Sequence, residues 1–280
     1  IYKQWKSEIL PDDTAFIQSL YKDNSYRNKN YGKTLEKIKN KATRERLMYG
    51  NWEYDDDKSA LFQYDNILDM FSNRADESED KFLSGDVSRK GRDKMPIGLW
   101  RGLKLYKIIT IPDNIRENTV KSSDFIKALI RKEQIQKSQS VLDEDGLGGG
   151  VVDQVDCKGF VNGSKPVLSI QDEEERKEGE YFENYGNLKA QCYFKLAELV
   201  ERGKIEIDVN GDEDLKQKII EELGMIKQRD IDKDEKRIYI ISKDEIKKNL
   251  GRSPDYADMI MMRMYFLVKK PLNKITDFVL

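Results

Sequence analysis

Two short apolar runs in this chain each end on a carboxylate and then break into glycines. Phe82-Leu83-Ser84-Gly85-Asp86-Val87-Ser88 is followed by Gly91 and Asp93, and Val141-Leu142-Asp143-Glu144-Asp145 by Gly146. Apolar runs of this length, bounded by glycine, read as buried strands, so each one delivers an acid to a strand end. Taken singly, such an acid is as readily a solvated edge residue as a functional one. A third segment tips that balance. Ser253-Pro254-Asp255-Tyr256-Ala257-Asp258 opens an apolar helix, with Ser253 expected as N-cap and Pro254 as the first helical residue. Acids on two strand ends and one helix start form a donor set that suits a pair of divalent cations at a phosphodiester.

The rest of the composition narrows the chemistry. No histidine occurs among the 280 residues, which removes Ser-His and Cys-His nucleophiles, imidazole-bound zinc and histidine as general base. Catalysis must therefore come from carboxylates, lysines, tyrosines or bound metal. Cys157 and Cys192 are the only cysteines, so a disulfide framework is not expected and a reducing compartment is. The 50 basic and 52 acidic residues nearly cancel; local patches, not this sum, decide whether nucleic acid binds. No stretch approaches the roughly 18–20 apolar residues of a membrane span, and no basic-then-apolar leader is seen. The chain opens on Ile1 in an ordinary polar stretch and reads as a piece of something longer.

Residues 1–75 are rich in Lys, Asp, Asn and Tyr, with helical patches at Thr34–Ile38 and Ala42–Met48. Their Leu, Met and Trp content is too apolar for a disordered linker, so the segment is expected to pack along a neighbouring domain. Asp55-Asp56-Asp57 reads as a solvated loop, because three consecutive acids cannot all face one ion. The charged connector from Arg74 to Asp80 places the main boundary there, leaving 76–280 as the second domain. Strands are expected at Lys81–Val87, Pro96–Arg101 and Lys104–Ile111, the last two joined by a tight turn at Arg101-Gly102. A helix follows over Asn118–Gln134, with Ser122 or Ser123 as a cap, then a strand over Ser138–Asp143. The glycines at 146–150 lack the Lys-Ser/Thr ending of a phosphate loop and serve instead to let backbone pass close to a strand end or a DNA phosphate. Further elements are a strand at Val167–Ile170, a helix capped by Asn187, strands at Ile205–Val209 and Arg237–Ile241 around a helix over Asp214–Met225, and a capping box at Ser242 and Glu245. The methionines at 259, 261, 262 and 264 read as core rather than as a binding groove.

This order of elements is that of a ribonuclease H-like α/β fold, a mixed central sheet flanked by helices. In such a fold the first and fourth strands lie side by side, which brings Asp86 to Asp143. Asp255 approaches from the helix start, where the dipole favours its ionised form, and Asp258 lies on the same helical face as an auxiliary metal ligand.

The segments around Asp86, from Asp143 to Asp153, Asn187 to Gln191 and Arg252 to Asp258 resemble the C-terminal nuclease domain of the large terminase subunit of tailed double-stranded DNA bacteriophages. Phe16 to Tyr26 and Arg44 to Glu53 resemble the stretch that joins that family's ATPase motor to its nuclease. The resemblance implies an endonuclease that cuts concatemeric viral DNA during packaging, with Asp86, Asp143 and Asp255 holding two Mg²⁺ or Mn²⁺ ions. It also implies double-stranded DNA, the motor domain of the same full-length protein, the small terminase subunit and the portal as partners, in the cytoplasm of an infected or lysogenic bacterium. The motor's Walker A loop is missing, so ATP hydrolysis is not expected of this piece. Arg89, Lys90, Arg92 and Lys94 are candidates for DNA phosphates, a solvated turn being the alternative. Other readings are a junction resolvase or strand-transfer enzyme of the same fold class, and a non-catalytic docking module of a packaging motor.

Overall fold

Side chains along a strand alternate between the two faces of a sheet, and here both faces are apolar. The computed structural model describes residues 19–26, 31–36, 44, 47–50, 59–88, 93–146, 148–167, 184–229 and 237–268. The described strands form a mixed sheet in the order β5-β4-β1-β2-β3-β6. They are β1 (Lys81–Gly85), β2 (Pro96–Arg101), β3 (Lys104–Thr110), β4 (Ser140–Asp143), β5 (Lys158–Phe160) and β6 (Glu206–Ile207). β1, β2 and β3 make an antiparallel meander; β4 pairs parallel with β1, β5 with β4, and β6 with β3. Phe82, Trp100, Val141 and Phe160 face one core, while Leu83, Leu99 and Leu142 face another. Burial on both faces is why these strands read as near-continuous apolar runs.

The helices are α1 (Tyr31–Glu36), α2 (Tyr64–Asp69), α3 (Asp113–Arg116), α4 (Thr119–Glu133), α5 (Gly148–Val155), α6 (Leu188–Glu201), α7 (Glu213–Leu223), α8 (Lys243–Leu250), α9 (Asp255–Met262) and α10 (Tyr265–Val268). Apolar residues of α4 and α5 fill one core; those of α2, α6, α7 and α9 fill the other. Met259, Met261, Met262 and Met264 are all buried in that second core, as the packing reading expects. No described helix is long and apolar enough to cross a membrane.

The chain divides into two compact units, residues 1–58 and 59–280. In the first, Leu35 and Met48 are buried with Tyr21 and Leu47 against them. The second starts earlier than the composition suggests. Phe62, Ile67 and Met70 are buried in the core beneath the sheet, so the charged connector expected as a boundary runs inside this unit. Asp55, Asp56 and Asp57 lie outside the described residues.

Three expectations are corrected. The fifth strand is β5 at Lys158–Phe160, whose three residues with a central glycine carry too little pattern to read. Val167, expected to start that strand, is pinned by Gln191, which accepts from its N–H at 2.8 Å and donates to its carbonyl at 2.7 Å; residues 168–170 lie outside the described set. Around Ile238 and Ile240 the chain makes isolated bridges to Tyr185 and Gln228 instead of a strand. The cap of α4 is Asn118, whose side chain accepts from the N–H groups of Val120 and Lys121. Ser122 and Ser123 are buried inside the helix and donate to the Ile115 and Thr119 carbonyls.

Candidate active site

β1 and β4 run parallel with Gly85 opposite Leu142, so the next residues, Asp86 and Asp143, leave the sheet side by side. Alternation sets their direction: each continues the face that carries Ser84 and Val141, which is the face α9 covers. Ser84 Oγ donates to the Met259 carbonyl at 2.7 Å and accepts from Trp100 Nε1 at 2.9 Å. That buried chain ties β1, β2 and α9 together, and the absence of a side chain at Gly98 leaves room for Met259 Sδ. Gly148 does similar service beyond β4, since a Cβ there would run into the Asp143 carbonyl oxygen. The glycine-rich turn is thus a close-approach device at a strand end.

α9 brings its first turn to the same edge. Asp86, Asp143, Asp255 and Asp258 are all buried, at 3, 8, 5 and 3% exposure, and the charges of Asp143, Asp255 and Asp258 all act on Asp86. Lys243 stands among them, its Nζ 3.8 Å from Asp86 Oδ2 and 3.3 Å from Asp258 Oδ2. Asp258 Oδ1 receives the Lys189 ammonium at 2.8 Å and the Tyr193 hydroxyl at 2.7 Å. Asp143 Oδ1 accepts from Asn162 Nδ2 at 3.2 Å and from the Asp145 N–H at 3.3 Å. The Lys94 N–H donates to Asp255 Oδ2. Asp255 Oδ1 is buried without a well-formed hydrogen bond, with the Ser253 hydroxyl alongside.

These surroundings separate the acids. Burial pushes Asp86 well above the usual carboxylate range; Lys243 counters it, and the neighbouring acids add to it. Burial likewise lifts Asp143 to about 6 and raises Asp255. For Asp258 burial works the same way, but Lys189, Lys243 and the Tyr193 hydroxyl outweigh it and hold the carboxyl below its ordinary value. Lys243 loses by burial and gains more from Asp86 and Asp258, so its ammonium is held firmly charged. Among the described residues, no group of three or more acidic or cysteine side chains is arranged to hold a metal ion as the chain stands.

No family model and no curated protein sequence matches this chain. Solved structures do. The nuclease domain of the large terminase subunit gp2 of bacterial virus Sf6 aligns with a TM-score of 0.59 at 18% identity, over 73% of this chain and 98% of that one. A mutant of that domain with manganese and beta-thujaplicinol gives the same values, and a mutant with manganese alone a TM-score of 0.57 with the same identity and coverage. The fold is that of these terminase nuclease domains. It is the ribonuclease H-like arrangement that the order of strands and helices implied.

Within this fold, the acids singled out from the sequence come to one sheet edge; of the basic candidates, Lys94 lies among the described residues, with its backbone N–H on Asp255. Lys94 Nζ is half exposed and 3.9 Å from Asp113; Arg89, Lys90 and Arg92 lie outside the described residues. The sequence reading missed Lys243, Lys189, Tyr193 and Asn162. Two of these left a local signal. Lys243 and Lys189 stand in the first turns of α8 and α6, where the helix dipole favours an acid, so each is held there against local preference by a distant partner.

Proposed function

We propose that this chain is the nuclease portion of a viral DNA-packaging terminase, a Mg²⁺- or Mn²⁺-dependent endonuclease that hydrolyses phosphodiester bonds of double-stranded DNA. The observation that carries this reading is the gathering of Asp86, Asp143 and Asp255 into one buried cluster that its surroundings under-neutralise. The donors fit hard divalent cations: all are oxygen, and Asp255 Oδ1 is a buried acceptor with no well-formed hydrogen bond, only the Ser253 hydroxyl alongside. Asp86, Asp143 and Asp255 would hold the ions, and Asp258 would add Oδ2, the oxygen now paired with Lys243. Bound there, such ions would supply Lewis acidity for hydrolysis of a phosphodiester.

The chain's own groups prepare that site. Lys243 offsets part of the carboxylate charge, Asn162 fixes the Asp143 rotamer and the Lys94 N–H fixes Asp255. Lys94, with Arg89, Lys90 and Arg92, is assigned to DNA phosphates. The segment ahead of residue 59 is assigned as the link to an ATPase motor domain, and concatemeric DNA, the small terminase subunit and the portal as the remaining partners, in the cytoplasm of a bacterial host.

The test is plasmid cleavage with Mn²⁺. The wild type is expected to nick and linearise supercoiled DNA, EDTA to stop it, and Asp143→Asn to slow it by at least about 100-fold, since losing a ligand exceeds losing a ligand's support. Cleavage confined to branched DNA would move the assignment to a junction resolvase, and a folded wild type that cuts nothing would leave a docking module.

A further inference from the structure

α9 begins without a cap of its own. Its N-cap position is Pro254, not the expected Ser253, and Pro254 offers no side-chain acceptor. Ser253 Oγ is buried without a well-formed hydrogen bond. A helix leaves the N–H groups of its first turn without intrahelical partners, and a buried one left unpaired is costly. Here the N–H groups of Tyr256 and Ala257 both donate to Glu222 Oε2, at 2.8 and 2.9 Å. Glu222 comes from the last turn of α7 and is 1% exposed. Its other oxygen stands 3.2 Å from Arg252 Nη1, and Arg252 Nη2 is 3.3 Å from Glu221 Oε2. The cap is therefore borrowed from another helix and braced by an arginine just ahead of α9.

The two N–H groups it holds belong to the residues directly after Asp255, and Asp258 follows in the same turn. Asp86 and Asp143 are placed by backbone pairing to β2 and β5; Asp255 and Asp258 take their backbone position from the start of α9, and Lys94, Lys189 and Tyr193 then hold their carboxylates. An apolar residue at position 222 would serve the core at lower desolvation cost, but it would leave that first turn loose.

We propose that Glu222 is a positioning residue, which sets Asp255 and Asp258 against the two strand-borne acids by closing the start of α9. The inference rests on the nuclease reading, and Glu222 itself touches neither ion nor DNA. It predicts damage confined to the helix-borne half of the site. Glu222→Ala should raise the Mn²⁺ concentration for half-maximal cleavage by roughly 10–100-fold, the range for removal of a ligand's support. It should lower kcat while leaving KM for DNA unchanged, and the Tyr256 and Ala257 amides should lose hydrogen-exchange protection. Glu222→Gln keeps an acceptor oxygen and should stay within a few-fold of wild type in all of these, roughly the margin of a cap retained.

Where Glu222→Ala does not fold, the paired change Glu222→Leu with Arg252→Leu removes both charges together and replaces it in the same comparison. A wild-type Mn²⁺ midpoint and kcat in the uncapped variant, or a Glu222→Gln as impaired as Glu222→Ala, would overturn the inference while the nuclease reading stands. A wild type that neither binds Mn²⁺ nor cuts would overturn both.

Discussion

Asp258 and Asp86 are equally buried, each 3% exposed, and their surroundings treat them oppositely. Asp258 has a full set of partners: Lys189 and Tyr193 on one oxygen and Lys243 on the other. Against them burial loses, and the carboxyl stays readily ionised. Among the described residues, Asp86 has only the more distant Lys243 and faces three other acids, so burial wins and its carboxyl is pushed up. Burial of an acid therefore does not mark a metal site; a shortfall of positive charge around it does. By that measure Asp86, Asp143 and Asp255 await a cation, while Asp258 anchors Lys189 and would give its other oxygen to an ion only as Lys243 withdraws.

The contrast breaks most visibly under mutation. Asp258→Asn leaves the buried Lys189 beside a neutral amide and should cost about 3 kcal/mol in urea denaturation, the half-buried Lys243 adding little. Asp86→Asn in EDTA at pH 8 should instead raise the melting temperature, because it removes a charge that its surroundings disfavour. Shifts of the same sign in both variants would erase the distinction.

A smaller effect concerns pH. The folded value of about 6 for Asp143 lies above its ordinary 3.8, so the native state binds this proton more tightly than the unfolded chain does. The resulting stabilisation is complete below about pH 4 and is lost as pH rises through 6. The difference between 3.8 and about 6 corresponds to at most about 3 kcal/mol. In EDTA, the stability of Asp143→Asn relative to wild type should climb by up to that amount between pH 4 and pH 8; a flat difference would place Asp143 with Asp258. The smallest effect is that of Asn162→Ala, which removes one donor from Asp143. It should change stability by only about 1 kcal/mol yet raise the Mn²⁺ requirement roughly 10-fold.

Much of the frame was legible because it is written in local pattern. The limits of β2, and of β3 to within one residue, follow from apolar runs bounded by turn residues, while the pairing of β1 with β4 followed from the fold that the order of elements implied. What stayed hidden depends on long-range partners. Glu222 reads as one more polar residue of an amphipathic helix until α9 is seen to start on it. The cap was misplaced onto Ser253 for the same reason: local rules award it to the nearest hydroxyl, whereas the fold supplies a carboxylate from α7. β5 was missed because three residues have no period to detect, and its neighbour Asn162, which orients Asp143, was missed with it.

The central claim is that the shortfall of charge at Asp86, Asp143 and Asp255 is made good by divalent cations. The most direct measurement is an anomalous difference map from crystals grown with Mn²⁺. Peaks bounded by these three carboxylates, with the Lys243 ammonium moved away from Asp86, are the predicted result. A map with no peak there, and with Lys243 still between Asp86 and Asp258 at saturating Mn²⁺, would contradict it.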